Sequence, residues 1–156
     1  MLTAHLPSGY ILGKTPAAAG LMPVALIGAV LPDFDMIFFY FVDDRAMHHH
    51  YYWVHLPVFW LCVAAIALPL AAWMGYLRAV LVFFVAILMH LLLDTISGGV
   101  AWGLPQDDRL FSLVTVPATH SNWILSFMLH WTFLLELMVW FVAAILYWRQ
   151  FQGAYA

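Results

Sequence analysis

Charge is what this chain has least of. Only 8% of its 156 residues are charged, against roughly a quarter in an ordinary soluble domain. Five Lys/Arg and eight Asp/Glu give a net charge of -3. They form no basic stripe, which argues against a nucleic-acid partner. Cysteine is nearly absent: Cys62 stands alone in an apolar stretch, so no intramolecular disulfide is possible and the residue says nothing about redox compartment. A glycine-rich phosphate loop and a nucleophile elbow are missing. The adjacent His120–Ser121 pair points in divergent directions on a helix, which argues against a serine hydrolase. There is no internal repeat and no low-complexity linker. Residues 1–18 lack the basic start and apolar core of a cleavable signal, so the first span is expected to direct insertion itself.

Apolar residues fill the space that charge leaves. They make up 66% of the chain, with a mean hydropathy of +0.94. They come in blocks long enough to cross a hydrocarbon core of about 30 Å, which takes roughly 20 helical residues. The expected fold is therefore all-α: an integral membrane bundle of about four spans forming a single domain over residues 1–156. Residues 1–15 read as a short interfacial helix or loop. The first span covers about 16–42 and is interrupted by Pro32, which lacks an amide hydrogen and clashes with the preceding turn. The helix should end near Leu31, leaving residues 32–35 as a turn inside the protein. Further spans are expected over about 53–74, 77–96 and 120–148, separated by polar stretches at 43–52 and 102–119. Alternating spans place Lys14, Arg78 and Arg149 on one face and Arg45 and Arg109 on the other. Counting Lys and Arg alone, this leans toward cytoplasmic termini and a His-rich loop outside.

The ionisable residues near the spans are not evenly spread. Asp33, Asp35, His50, His55, His90, Asp94 and His120 fall toward one side of the membrane. Ionisable groups in hydrocarbon cost several kcal/mol at least and mark function or find partners. Imidazole and carboxylate together are ordinary ligands for zinc and related divalent metals. His90 and Asp94, four apart on a helix, share a face. They can grip a metal or, as the plainer alternative, hydrogen-bond to hold two helices together. If the chain is extended after Pro32, Asp33 and Asp35 share a side; alternatively they stop and cap a helix. His50 and His55 meet if the loop-to-helix junction turns inward. His48 and His49 read as solvated loop residues. His130 sits one to two turns inside the last span, facing either the cluster or a neighbouring helix. Glu136 lies about 120° round from His130 and reads as a supporting or packing residue.

Taken in order, His5-Leu6-Pro7-Ser8-Gly9, Leu31-Pro32-Asp33-Phe34-Asp35, His50 with His55, and His90-Leu91-Leu92-Leu93-Asp94 resemble the membrane-bound, metal-dependent hydrolases of bacterial inner membranes, some of them described as LexA-regulated. That family shows an early His, Leu-Pro-Asp-x-Asp, His-Arg-Gly-x-Thr-His and His-x-x-x-Asp. The stretch Gly99-Val100-Ala101-Trp102-Gly103-Leu104-Pro105 echoes its Gly-Val-Pro-Leu-Leu-Trp-Pro-like segment. Beyond it, Asp108-Arg109-Leu110-Phe111-Ser112 resembles the family's short basic-aromatic segment. The match covers roughly residues 5–113. It departs at His50-Tyr51-Tyr52-Trp53-Val54-His55, which lacks the family's Arg, Gly and Thr. If that Arg binds phosphate in relatives, Arg45 or Arg109 must substitute, or the substrate differs. Met36 stands where the family often has His. The His/Asp order is also similar to that of zinc-dependent phospholipases C and P1-type nucleases.

The expectation is a multi-pass protein of the bacterial inner membrane that hydrolyses a phosphoester of a lipid or isoprenoid substrate. One to three divalent ions, zinc first with Mn or Mg as alternatives, would be held by Asp33, Asp35, His50, His55, His90 and Asp94, with His5 a further candidate. Asp33 or Asp35 would act as catalytic base. A small transporter or metal-handling protein using the same residues is the alternative, and a structural subunit a third. His5 poses a conflict, because simple alternation puts the N-terminus away from the cluster. Either residues 1–31 form a re-entrant hairpin, or His5 is no ligand, or the orientation is reversed.

Overall fold

A computed structural model describes residues 3–46 and 48–154, and every regular element among them is helical. Helix α1 spans His5–Gly13, α2 Met22–Val30, α3 Asp35–Phe41, α4 Pro57–Met74, α5 Leu77–Ser97, α6 Trp123–Met128 and α7 Phe133–Ala154. Four stretches are long and apolar enough to cross a bilayer: Met22–Phe41, Pro57–Met74, Leu77–Ser97 and Phe133–Gln150. Their large side chains face outward, with Phe41 83%, Trp73 84% and Ile66 74% exposed. Such a surface suits lipid as solvent.

Lipid tails are as apolar as leucine, so helices in a bilayer associate through close backbone approach. The N-terminal half is built on that rule. Helices α1 and α2 form an antiparallel hairpin in which a Cβ on Gly9 would meet the Ala29 Cβ at 2.5 Å and the Ala25 carbonyl oxygen at 2.9 Å. On its other side α2 lies against α5, where a Cβ on Gly28 would strike the Phe83 carbonyl oxygen at 2.7 Å. Gly75, at φ +81°, ends α4 in the left-handed conformation that favours glycine. It turns the chain back into α5 within two residues. The core at the loop end of α4 and α5 consists of Val54, Trp60, Ile87 and Leu91.

Helix α1 has nine residues, about 13 Å of rise, which reaches only about half way through the hydrocarbon. It runs alongside α7: Thr3 bonds to Glu136, and Tyr10 and Lys14 to Gln150. Arg78 donates to the Ala19 carbonyl at 2.8 Å. Lys14, Arg78 and Arg149 are therefore gathered at one end of the bundle. The N-terminal hairpin removes the conflict over His5, since residue 5 returns to the opposite end, beside the start of the 31–34 turn.

Three expectations are corrected. The 16–42 span does not pass through an extended segment after Pro32: Leu31–Phe34 is one 3-10 turn leading directly into α3. Pro32 sits at a first-turn position, where a missing amide costs nothing. The 120–148 span is broken, with α6 and α7 separated at residues 129–132, so His130 lies in the break and pairs with Thr132 Oγ1 at 2.9 Å. The second span begins at Pro57, since Trp53–His55 forms a separate 3-10 turn.

Candidate metal centre

The centre is assembled from four pieces of chain. Helix α5 supplies His90 and Asp94 from one face, 0% and 2% exposed. The start of α1 supplies His5, the 31–34 turn and the first turn of α3 supply Asp33 and Asp35, and two 3-10 turns supply His49, His50 and His55. Asp94 lies at the middle. Its Oδ2 is 3.0 Å from His90 Nε2, 3.4 Å from His55 Nε2 and 3.7 Å from His50 Nε2. Its Oδ1 is 3.2 Å from His5 Nε2. His55 Nε2 and His90 Nε2 face each other at 3.3 Å, and Asp33 Oδ1 is 3.8 Å from His90 Nε2. The rings of His5 and His90 stack at 3.7 Å, and those of His50 and His55 at 4.6 Å.

Each of three imidazoles is oriented through its other nitrogen. The last carbonyls of a helix lack intrahelical partners, and two histidines use them. His90 Nδ1–H donates to the Ala29 carbonyl at the end of α2, at 2.7 Å. His50 Nδ1–H donates to the Gly98 and Gly99 carbonyls just past α5, at 3.1 and 2.5 Å. A Cβ on Gly98 would lie 2.7 Å from His50 Cε1, so only glycine leaves room for this ring. His55 Nδ1–H donates to Asp35 Oδ2 at 2.6 Å. With every Nδ1 carrying the proton, the three Nε2 atoms present lone pairs to one another and to a carboxylate.

That arrangement is repulsive unless a proton or a metal ion lies between the groups. Four ligand atoms at about 2.0–2.1 Å from a tetrahedral zinc ion stand about 3.3 Å apart, and the observed separations bracket that value. Such oriented imidazoles, with carbonyl or carboxylate partners behind them, are the usual support of a metal site. Asp35 Oδ1 is buried with no hydrogen-bond partner, a further acceptor in want of positive charge. The histidines outside the spans respond to their surroundings in opposite ways. Burial, against the pull of Asp94, takes His50 down to about 3 and keeps it neutral. Burial also works against charge on His55, but Asp35 and Asp94 outweigh it and raise the group to about 9. A proton and a metal ion compete for that position. Groups able to hold a metal ion include His5/His90/Asp94, Asp33/His55/His90 and His49/His50/His55.

The structure thus brings together all seven residues singled out as metal ligands: His5, Asp33, Asp35, His50, His55, His90 and Asp94. Asp33 and Asp35 both reach the cluster, but from a helical rather than an extended backbone and in different surroundings. The Asp35 side chain is 1% exposed and turned to His55, whereas that of Asp33 is 41% exposed. His49 is not a solvated loop residue: its Nδ1 stands 3.7 Å from Asp35 Oδ2 and its ring abuts His50 and His55. A 3-10 turn over His49–Tyr51 puts it there, and no periodicity in so short a loop could have revealed it. His48 is exposed and caps the same turn. His120 pairs locally with Thr119, and Arg109 is held by Asp107 at 2.7 Å. Neither joins the centre.

A cavity of about 580 Å³ opens beside the cluster. Asp33, His49, His50 and Asp94 form its polar floor, and Met36, Phe39, Tyr40, Trp123 and Phe127 its apolar walls. Among its described lining residues there is no Lys or Arg. Arg45, with its guanidinium 5.5 Å from the Tyr40 ring, is not among the lining residues.

Fold and site together define a four-span membrane bundle with buried His/Asp groups positioned to hold a metal ion. The chain belongs to the YdjM inner membrane protein family, whose model matches residues 2–156, and it is a multi-pass inner membrane protein. Neither a curated protein nor a solved structure matches it.

Proposed function

We propose that this protein is a membrane-embedded, metal-dependent hydrolase that cleaves a phosphoester of a lipid or isoprenoid substrate. The observation that carries the reading is the convergence of His50, His55 and His90 Nε2 on Asp94, each ring fixed through its Nδ1. Residues His5, His50, His55, His90 and Asp94 would hold the ion, with Asp33 at the cavity side. A divalent ion, when bound, acidifies water and neutralises charge that builds on phosphate oxygens. Zinc suits the nitrogen-rich donor set; manganese and magnesium prefer more oxygen.

The remaining roles fall to the chain itself. Asp35 orients His55 and raises its basicity. Asp33 faces the cavity and is placed to take the proton from an attacking water as the new oxygen–phosphorus bond forms and the bond to the lipid oxygen breaks. The apolar walls accept the lipid, and Phe39 and Tyr40 belong to the Met22–Phe41 span, so a lipid can reach the cavity from the bilayer. With no Lys or Arg among the described lining residues, the substrate's charge is met by the metal centre and the histidines rather than by an Arg clamp. Three basic residues at the far end, Lys14, Arg78 and Arg149, against Arg45 and Arg109 at the other, support an outward-facing cavity by the positive-inside rule.

The test is metal content and phosphate release measured on the same samples, with phosphatidic acid and an isoprenyl phosphate in detergent. Asp33→Asn should retain its metal and lose about 10²–10⁴ in rate, the usual cost of a positioned base. A metal-loaded wild type that releases no phosphate from either lipid, or an Asp33→Asn variant at wild-type rate, would turn the reading toward transport or metal handling.

A further inference from the structure

Glu136 is a carboxylate fully buried within the Phe133–Gln150 span, and the metal centre does not use it. A carboxylate at such a position is retained for a partner or a function. Here the partner is the N-terminal segment. The Thr3 backbone N–H and hydroxyl both donate to Glu136 Oε2, at 2.7 and 2.6 Å, and Trp140 Nε1–H donates to Thr3 Oγ1 at 3.1 Å. Two residues further on, His5 enters the centre and stands 3.2 Å from Asp94 Oδ1. Helix α7 touches the rest of the bundle chiefly along α1, and Lys14 and Tyr10 bond Gln150 at the other end of that seam.

We infer that Glu136 is a positioning residue: by holding Thr3 it seats the N-terminal segment inside the bundle and delivers His5 to the metal. The inference rests on the metal centre proposed for this site. A backbone N–H at residue 3 precedes the first hydrogen-bonded turn of α1 and has no acceptor within the helix. Thr3 is itself exposed, but its N–H meets a fully buried carboxylate, beside which an unmet donor is costly. Glu136 accepts it and the neighbouring hydroxyl with one oxygen. Without that acceptor the segment gains by leaving for water, and His5 leaves with it, while His50, His55, His90 and Asp94 stay on their own supports. Partial loss of affinity is therefore expected, with the remaining ligands intact.

The experiment measures metal affinity by chelator competition on detergent-purified, monodisperse protein. Glu136→Ala and His5→Ala should each weaken binding about tenfold or more, the scale on which supporting groups act on metal sites. The double variant should be no weaker than His5→Ala alone, because both changes remove the same ligand. Glu136→Gln, which keeps an acceptor oxygen, should recover most of the affinity. Thr3→Val provides a milder probe should Glu136→Ala not fold, and is expected to weaken binding severalfold. Additive losses in the double variant, or wild-type affinity in both Glu136→Ala and Thr3→Val, would overturn the role of Glu136 while leaving the centre in place. A wild type that binds no zinc or manganese would overturn the centre itself and this role with it.

Discussion

The two halves of this bundle are held together differently. Helices α1, α2 and α5 meet through glycine and alanine at near-contact backbone distances, and most groups of the candidate metal centre are attached to these helices or to turns pressed on their ends. Helices α6 and α7 carry large side chains turned outward, Trp123 57% and Phe141 65% exposed, and α7 is tied to α1 and the segment before it by hydrogen bonds from Thr3, Tyr10 and Lys14. The lesson is that precision and anchorage are separate here. Small residues let the helices that carry the candidate ligands approach closely, while the last span supplies a hydrogen-bonded tether that sequence patterning does not advertise.

Breaking the first half should cost most. Gly28→Leu forces a side chain into the Phe83 backbone, which cannot yield as a flexible side chain does. Overpacking of this kind typically costs about 1–3 kcal/mol. Because His90 takes its orientation from Ala29 next door, metal should be lost as well. Unfolding in graded denaturing detergent, with metal content on the same samples, checks both effects. Gly98→Ala should be smaller and confined to the site: the fold should persist while His50 is displaced, and metal affinity should fall about 10–100-fold, as for loss of a ligand's support. Smallest of all is Phe141→Ala on the outward face of α7. Its stability should stay within about 0.5 kcal/mol of wild type, with metal binding unchanged. A large loss of metal in Phe141→Ala would show that the halves are not separable in this way.

Much of the fold was legible because bilayer thickness imposes a length on apolar blocks, and four such blocks stand in the sequence. Patterning left the N-terminal hairpin as one of three alternatives. Residues 5–13 are too short for a span, and only the fit of Gly9 against Ala25 and Ala29 reveals that the chain returns. His5 therefore looked stranded on the wrong side. The His90/Asp94 pairing comes directly from helical spacing, and His50 and His55 come together where a turned junction would bring them. Pro32 misled in one respect: it ended α2 but gave a 3-10 turn rather than an extended segment, so Asp33 and Asp35 took different surroundings. His49 was hidden by the same cause, since a single turn of 3-10 helix leaves no period to read. Glu136 carried the one usable signal for the last span, an ionisable group inside an apolar block, but its partner at residue 3 is remote in sequence.

The imidazoles around Asp94 are arranged for a cation. Elemental analysis of the purified wild type beside the His90→Ala/Asp94→Ala double variant tests it most directly. At least about one equivalent of a divalent transition metal is expected in the wild type, since oriented imidazole and carboxylate donors at these spacings favour such ions, with near-complete loss in a variant that remains folded. Equal metal content in the two proteins, or a metal-free wild type that stays metal-free after incubation with zinc, would contradict it.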